Sequence, residues 1–264
     1  MLEDAGLAPE EPGAQVLAVH CRSAPVDVLF VRAADVPEYV QDGVVDCGIT
    51  GLDLVHERGS DVEVLLYLGF GACSLQAAVP AEDGANMIAD LSGRRIATSF
   101  PRLATAALSA EGVTATMVQV AGSVEIAPRL GLADAVVDLV SSGSTMRTNG
   151  LRPIGELFLS EAVLIGRRDA SRAGDCRSLS TMLGSVIQAR ASRYLMCNAP
   201  LSVVDEIARM LPTRGAPSVI PLTAPDTVAL HALVPAAGVW DLLPSLELLG
   251  ATSILILPVE RLLA

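Results

Sequence analysis

Hydroxyl-bearing small residues follow an aspartate near the middle of the chain. The run Ala135–Leu139 is almost entirely apolar, as a buried strand requires, and Asp138 lies close to its end. Five small residues come next: Ser141, Ser142, Gly143, Ser144 and Thr145. A loop of this kind between a strand and a helix N-terminus can bind a phosphate through converging N–H groups and hydroxyls. The alternative is an ordinary polar turn, but the carboxylate before the loop favours a ligand site.

Alternating strands and helices are predicted around this loop and would position it. A strand is expected over Val113–Val120, a helix over Val124–Leu130 and a return strand over Leu159–Ile165. Such βαβ alternation predicts a parallel sheet, in which the carboxyl ends of the strands face one crevice. The return strand predicts that the chain crosses back to an earlier unit, leaving a cleft between two domains.

Both ends of the chain follow related patterns. Strands are predicted over Gln15–Cys21, Val26–Val31 and Val44–Ile49, with a helix over Ala33–Gln41. After a long helix over 179–191, the order from Tyr194 onward is strand, helix, two strands, helix and strand. This βαββαβ order is that of a ferredoxin-like domain.

Composition excludes several classes of function. The 264 residues carry a net charge of −12 and contain arginine but no lysine, so no general nucleic-acid surface is expected. The five cysteines are scattered, which favours reduced thiols in a cytoplasmic protein. The longest uncharged stretch, Val64–Ala81, contains glycine and proline and does not predict a membrane span. Three histidines lie far apart, and no dedicated metal site is expected.

Several stretches together resemble one enzyme family. The run from Glu125 to Met146 resembles the signature of ATP phosphoribosyltransferase, and Asp46–Asp53, Arg95–Pro101 and Ser160–Ile165 are similar to that family in the same order. The C-terminal βαββαβ pattern is similar to the regulatory domain of the family's long form. The resemblance covers nearly the whole chain.

The resemblance implies an α/β fold. It has a two-domain catalytic core like the periplasmic binding proteins and a C-terminal ferredoxin-like, or ACT-like, domain. The implied boundaries are 1–89 with 159–178 for the first catalytic domain, 90–158 for the domain that binds phosphoribosyl pyrophosphate (PRPP), and 179–264 for the regulatory domain.

The resemblance also implies the reaction and its partners. A phosphoribosyltransferase of this family, a glycosyltransferase, joins N1 of ATP to C1 of PRPP and releases pyrophosphate, the first step of histidine biosynthesis. Mg²⁺ is carried with PRPP rather than held in its own site. L-histidine is expected as feedback inhibitor, AMP as a further ligand, and homo-oligomers from dimer to hexamer as the assembly.

The implied site residues fall into three groups. The resemblance assigns PRPP binding to Asp138 and Ser141–Thr145, with Glu125 and Asp134 near the ribose or the metal. The cleft wall on the nucleotide side comprises Thr50, Gly51, Asp53 and Arg95, with Arg147 a second candidate for a phosphate partner. The histidine site comprises Asn198, Ser218 and Ser253. Two alternatives stay open: Asp134 as a turn cap, and Arg94 with Arg95 as a solvated pair.

The N-terminal residues depart from the family pattern. Members begin with a strand and a Pro-Asn-Lys-Gly-type turn leading into a helix, whereas Met1–Gly6 resembles the end of that helix. The first strand is therefore expected to be absent. A competing hypothesis follows: a catalytically impaired homologue that binds PRPP and histidine as a regulatory protein.

Overall fold

The chain forms two compact units. The computed structural model describes residues 1–8, 17–141, 144–168, 173–213 and 215–263. One unit is Phe30–Ser180, and the other combines Met1–Leu29 with Thr181–Ala264. Residues 1–29, assigned by sequence to the first catalytic domain, thus belong to the same unit as the C-terminal residues. The proposed three-domain boundaries stay a prediction.

Strands and helices of the described residues are numbered in chain order. The strands are β1 Ala18–His20, β2 Asp27–Leu29, β3 Cys47–Gly51, β4 Val62–Tyr67, β5 Cys73–Pro80, β6 Arg95–Thr98, β7 Thr116–Gln119, β8 Ala135–Val140, β9 Leu151–Ser160, β10 Ala162–Arg167, β11 Ser192–Pro200, β12 Ser218–Pro221, β13 Thr227–Pro235 and β14 Thr252–Pro258. The helices are α1 Val36–Gln41, α2 Leu52–Arg58, α3 Pro101–Ala110, α4 Ser144–Thr148, α5 Ala173–Arg190, α6 Val204–Met210 and α7 Val239–Leu248.

A five-stranded sheet has the order β7-β6-β8-β5-β9. This sheet, α3 and α4 are here called the large lobe. Strand β6 runs parallel to β7 and β8, which confirms the predicted parallel arrangement for these strands. Strand β5 runs antiparallel to both β8 and β9. Strands β6, β7, β8 and β9 therefore end at the same side of the sheet, named here the carboxyl edge, and begin at the amino edge.

The core of the large lobe lies between the sheet and α3. Leu103 and Leu108 of α3 pack with Leu75, Ile96 and Val137 from three strands. Burying each leucine side chain contributes about 1.5–3 kcal/mol relative to exposure, so aliphatic residues suffice where aromatic ones are scarce.

The predicted helix over Val124–Leu130 is wrong. The structure has only a 3₁₀ turn at Val124–Ile126. Pro128 lies within the predicted span, lacks an N–H group and clashes with the preceding turn, which is incompatible with the interior of an α-helix.

A three-stranded sheet forms the small lobe with α1 and α2. Its order is β3-β10-β4, and β10 runs antiparallel to both neighbours. The predicted return strand is thus two strands, because β9 ends at Ser160 and β10 begins at Ala162. Valines of α1 and α2, Val36, Val40 and Val55, pack against β10 to form the core.

The C-terminal unit has the predicted ferredoxin-like topology. Its sheet has the order β12-β13-β11-β14 with every pair antiparallel, and α6 and α7 make the two crossovers. Leu195, Ile207, Leu230 and Leu246 form its buried centre. Strands β1 and β2 pair with each other, and the predicted first strand lies partly outside the described residues, since residues 9–16 are not among them.

Candidate active site

The ends of β6 and β7 are fixed to each other at the carboxyl edge. The Ser99 hydroxyl donates to the carbonyl oxygen of Val120 at 3.0 Å. The backbone N–H of Phe100 donates to Oγ1 of the buried Thr98 at 2.9 Å. This part of the edge is therefore rigid, with its hydroxyl groups already used for structure.

Two carboxylates lie near each other at the same edge. Asp138 is half-buried in β8, opposite Gln76 of β5. Burial raises the pKa of Asp138, and the charge of Glu125 raises it further, although a hydrogen bond from the Leu139 backbone acts in the other direction. Glu125 lies two residues after Ser123, whose φ of 51° is a left-handed conformation uncommon outside glycine. Among the described residues, the charged group that acts on Asp138 is therefore another carboxylate and not a cation.

The hydroxyl-rich loop begins where β8 ends. Ser141 is exposed, and Ser142 and Gly143 lie outside the described residues. Ser144 and Thr145 open the backbone of α4. The helix is attached to the lobe by the buried Met146, which packs with Val136 and Leu151. The predicted strand, loop and short helix are thus consecutive at the carboxyl edge.

Asp134 and Arg95 lie at the amino edge instead. The backbone N–H of Arg95 donates to Asp134 at 2.8 Å, and its guanidinium Nη2 donates to the same carboxylate at 3.0 Å. These bonds lower the pKa of Asp134. The six residues of β8 separate the pair from the loop by on the order of 20 Å. The structure does not bring these two predicted site residues to Asp138, and Asp134 has the role of the alternative, a fastening of the turn before β8.

The predicted cleft wall lies at the junction of β3 and α2. The Thr50 hydroxyl is buried and donates to the carbonyl oxygen of Ala33 at 2.7 Å. A Cβ atom at Gly51 would clash with the Asp53 carboxylate, so a larger residue there would displace Asp53 from its present position. Asp53 accepts a hydrogen bond of 2.6 Å from Ser160, the last residue of β9. Because β9 ends at the carboxyl edge, this bond brings the cleft wall to the same edge as the loop.

Ser160 is a residue whose contact with Asp53 sequence reasoning missed. The two are 107 positions apart, and no local pattern announces such a pairing. The available signal is a serine near the start of the predicted strand Leu159–Ile165, and its contact with Asp53 depends on the sheet order.

The predicted histidine-site residues lie on the sheet of the C-terminal unit. Asn198 of β11 pairs with Thr252 of β14, next to Ser253, whose φ is 50°. Ser218 begins β12, which is separated from β11 by β13. Asn198 and Ser253 therefore come from neighbouring strands, while Ser218 stands two strands from Asn198.

The described part of the chain contains no cluster of three or more His, Cys, Asp or Glu side chains that could hold a metal ion. Nor is any helix within that part long and apolar enough to cross a membrane. A cavity of about 810 Å³ in the Phe30–Ser180 unit is lined by α2, β4 and α3, and neither Asp138 nor Ser141 is among its lining residues.

Comparison with known proteins finds relatives that match along the whole of this chain. A sequence model of ATP phosphoribosyltransferase matches residues 32–186, and one described as the C-terminal domain of the same protein matches residues 189–261. The ATP phosphoribosyltransferases of Methanococcoides burtonii and Methanosarcina barkeri are each 40% identical to this chain, covering 100% of it and 93% of their own length.

A solved structure is similar as well. An ATP phosphoribosyltransferase from Thermotoga maritima, crystallised as a HisG:HisZ complex, matches with a TM-score of 0.59 and 25% identity, covering 71% of this chain and 90% of that one. The fold is the two-domain catalytic core like the periplasmic binding proteins, followed by the ferredoxin-like domain. The chain belongs to the ATP phosphoribosyltransferase family.

Proposed function

We propose that the chain catalyses the first step of histidine biosynthesis at the carboxyl edge of the large lobe. In this step N1 of ATP forms a bond to C1 of PRPP, and the bond from C1 to the pyrophosphate oxygen breaks. This location of the active site rests on one observation: the carboxylates of Asp138 and Glu125 lie near each other, beside the loop that starts at Ser141. We place this chemistry in the cytoplasm.

The loop and the two carboxylates have complementary roles in the proposal. Ser141–Thr145 binds the 5′-phosphate through N–H groups and hydroxyls, as small residues before a helix can do. Asp138 accepts hydrogen bonds from the ribose hydroxyls, and Glu125 lies near the ribose or its metal. Displacement at C1 builds positive charge on the ribose ring, and a carboxylate in a half-buried position stabilises that charge more than one in water.

The donor set fits Mg²⁺ carried by the substrate. Asp138 and Glu125 repel each other, and a cation between them would relieve this repulsion. Carboxylate oxygens are hard ligands, and Mg²⁺ commonly binds one or two carboxylates together with substrate phosphates. Asp138 and Glu125 are the residues that would hold it. When bound, the ion neutralises charge on the departing pyrophosphate.

ATP is proposed to approach from the small lobe. Thr50 and Gly51 end β3, and the hydrogen bond between Asp53 and Ser160 fixes this junction at the carboxyl edge. The side chains of Thr50 and Asp53 are already hydrogen-bonded, so we assign them to shaping the wall and leave direct contact to the backbone around Gly51.

Pyrophosphate release tests the proposed reaction. We expect release by the purified protein only when ATP, PRPP and Mg²⁺ are all present. A folded sample that binds PRPP in calorimetry but releases no pyrophosphate would contradict the proposal and favour the catalytically impaired binding homologue.

The double variant Gly143→Val with Thr145→Ala tests the loop. A bulkier and less polar loop should weaken PRPP binding sharply. Ser109→Ala, an exposed position on α3, is the matched control and should bind PRPP as the wild type does. Equal affinity in the double variant and the control would remove the phosphate-binding role of the loop.

We further propose histidine inhibition through the C-terminal unit, with Asn198, Ser218 and Ser253 as contacts, and AMP as a further ligand. The outer face of its sheet exposes Tyr194, Leu255 and Leu257, an apolar surface that supports assembly into dimers and hexamers. Light scattering with and without L-histidine measures the assembly. Asn198→Ala should weaken inhibition while leaving uninhibited turnover unchanged.

A further inference from the structure

Helix α2 belongs to the small lobe by sequence, yet its polar side chains contact the large lobe. It follows β3 directly and leads into β4, both strands of the small lobe. Its seven residues nevertheless contact elements of the large lobe at the first turn, at the middle and at the last turn.

The first turn of α2 contacts the end of β9. Asp53 is 7% exposed and Ser160 is 5% exposed, so their contact is shielded from water. The Ser160 hydroxyl donates to Asp53 Oδ1 at 2.6 Å, and the Asp53 backbone N–H lies 3.0 Å from the same hydroxyl oxygen. The Ser160 hydroxyl thus donates to the Asp53 carboxylate and accepts from the Asp53 backbone N–H, and two buried hydrogen bonds between one pair of residues resist sliding of one lobe along the other.

The middle of α2 contacts the same strand through an aromatic pair. The rings of His56 and Phe158 meet edge to face, with centroids 4.9 Å apart. This arrangement adds a directional apolar contact one turn beyond Asp53.

The last turn of α2 and the first turn of α3 cap each other. Glu57 accepts hydrogen bonds from the backbone N–H groups of Arg102 at 3.3 Å and Leu103 at 2.9 Å. In return, Arg102 Nη1 donates to the carbonyl oxygen of Arg58 at 3.3 Å. An acidic group at a helix N-terminus and a basic group at a C-terminus are both favourable for the helix dipoles.

Gly59 follows α2 and lies beside Arg102. Its φ of 62° is a left-handed conformation that favours glycine. The guanidinium group of Arg102 lies where a Cβ atom at position 59 would stand, so a side chain there would have to displace the end of Arg102.

These contacts fix two walls of the proposed site to each other. The Asp53 end carries the junction after Thr50 and Gly51, whereas the Glu57 end holds α3, which begins directly after Thr98–Phe100 at the carboxyl edge. We infer that α2 is an interlobe clamp and that Glu57 is a positioning residue, which sets where the nucleotide-side wall stands relative to the PRPP loop. The inference rests on the proposed function for the identity of the two walls.

Kinetics of Glu57→Ala test the clamp. The PRPP loop lies wholly in the large lobe, so the Kd of PRPP should stay within about twofold of wild type. The KM of ATP should rise or kcat should fall, together by about tenfold in kcat/KM, since hydrogen bonds to a charged group are lost. Glu57→Gln keeps one acceptor oxygen and should restore part of the loss.

Glu111→Gln is the matched control, an exposed glutamate at the other end of α3 that should leave all constants unchanged. Hydrogen exchange of the Arg102 and Leu103 amides should accelerate in Glu57→Ala but not in the control. If PRPP and ATP constants worsen equally, or neither changes, the positioning role is overturned. Should the wild type lack turnover, calorimetric Kd values for ATP and PRPP must show the same split, so the clamp is judged apart from the reaction.

Discussion

The two edges of the five-stranded sheet each carry a prominent aspartate on or beside β8, and the two carboxylates have opposite surroundings. At the amino edge, Asp134 accepts two hydrogen bonds from Arg95, and this partner lowers its pKa. At the carboxyl edge, Asp138 is half-buried, has Glu125 nearby, and has a raised pKa because of burial and that like charge. Four positions of sequence therefore separate a carboxylate paired with an arginine from one that lies near a like charge.

The two carboxylates differ in their electrostatic cost to the folded state. A charge that serves only the fold is paired with a partner, as Asp134 is with Arg95. A charge that lacks a cation within the protein is costly for stability and is available to a ligand that supplies the complement. We propose that ribose hydroxyls and a metal ion supply that complement at Asp138.

Replacing Asp138 should have the largest effect of any single change at the two edges. Asp138→Asn should weaken PRPP binding by about tenfold to a hundredfold, because a charged acceptor of the ribose hydroxyls is lost. Turnover should fall at least as much. Calorimetry with PRPP and the pyrophosphate assay measure the two effects. Retained affinity and turnover would place the ribose elsewhere.

Replacing Glu125 should have an intermediate effect. Glu125→Gln removes the like charge that raises the pKa of Asp138, so that pKa should decrease. Turnover should decline and require more Mg²⁺, since one oxygen ligand becomes neutral. A titration of Asp138 by NMR and an Mg²⁺ dependence of the rate check both expectations. An unchanged pKa would mean that the two carboxylates do not interact.

Replacing the aspartate should change Tm near neutral pH in opposite directions at the two edges. The folded pKa of Asp138 exceeds its unfolded value, so its ionisation destabilises the fold as pH rises through that window. Asp138→Asn should therefore raise Tm near neutral pH, and the gain should vanish at acid pH. Unfolding followed by circular dichroism measures it, and a lower Tm at neutral pH would contradict the assignment.

Asp134→Asn should give the opposite sign and the smallest effect. Its folded pKa is lowered, so its contribution is present above the unfolded pKa and is lost as pH falls through the folded value. The pair is largely exposed, so Tm should fall only slightly near neutral pH. The same melting series detects it, and a loss that grows toward acid pH would refute the pairing.

Local patterns in the sequence predicted much of this arrangement. The apolar run before the loop became β8, and the βαββαβ order of the last third is the observed topology. These features depend on neighbours within a few residues, so periodicity and turn residues reveal them. The resemblance to the family signature assigns Asp138 and Glu125 to the site for the same reason, since both belong to one continuous run.

Contacts between distant segments were not predictable in the same way. Whether Asp134 faces the loop or Arg95 depends on β6 and β8 being parallel neighbours, and the contact of Asp53 with Ser160 depends on where β9 ends. Both follow from sheet order, which no local pattern encodes. Sequence reasoning therefore assigned both Asp134 and Arg95 to the site, and the structure separates them from it.

Titration of PRPP into Asp138→Asn and Asp134→Asn side by side tests the placement of the site. Each variant removes one carboxylate charge on or beside β8, one at each edge of the sheet. We expect at least about a tenfold loss of affinity for Asp138→Asn and a change within about twofold for Asp134→Asn. Equal losses, or a larger loss for Asp134→Asn, would contradict the placement of the site at the carboxyl edge.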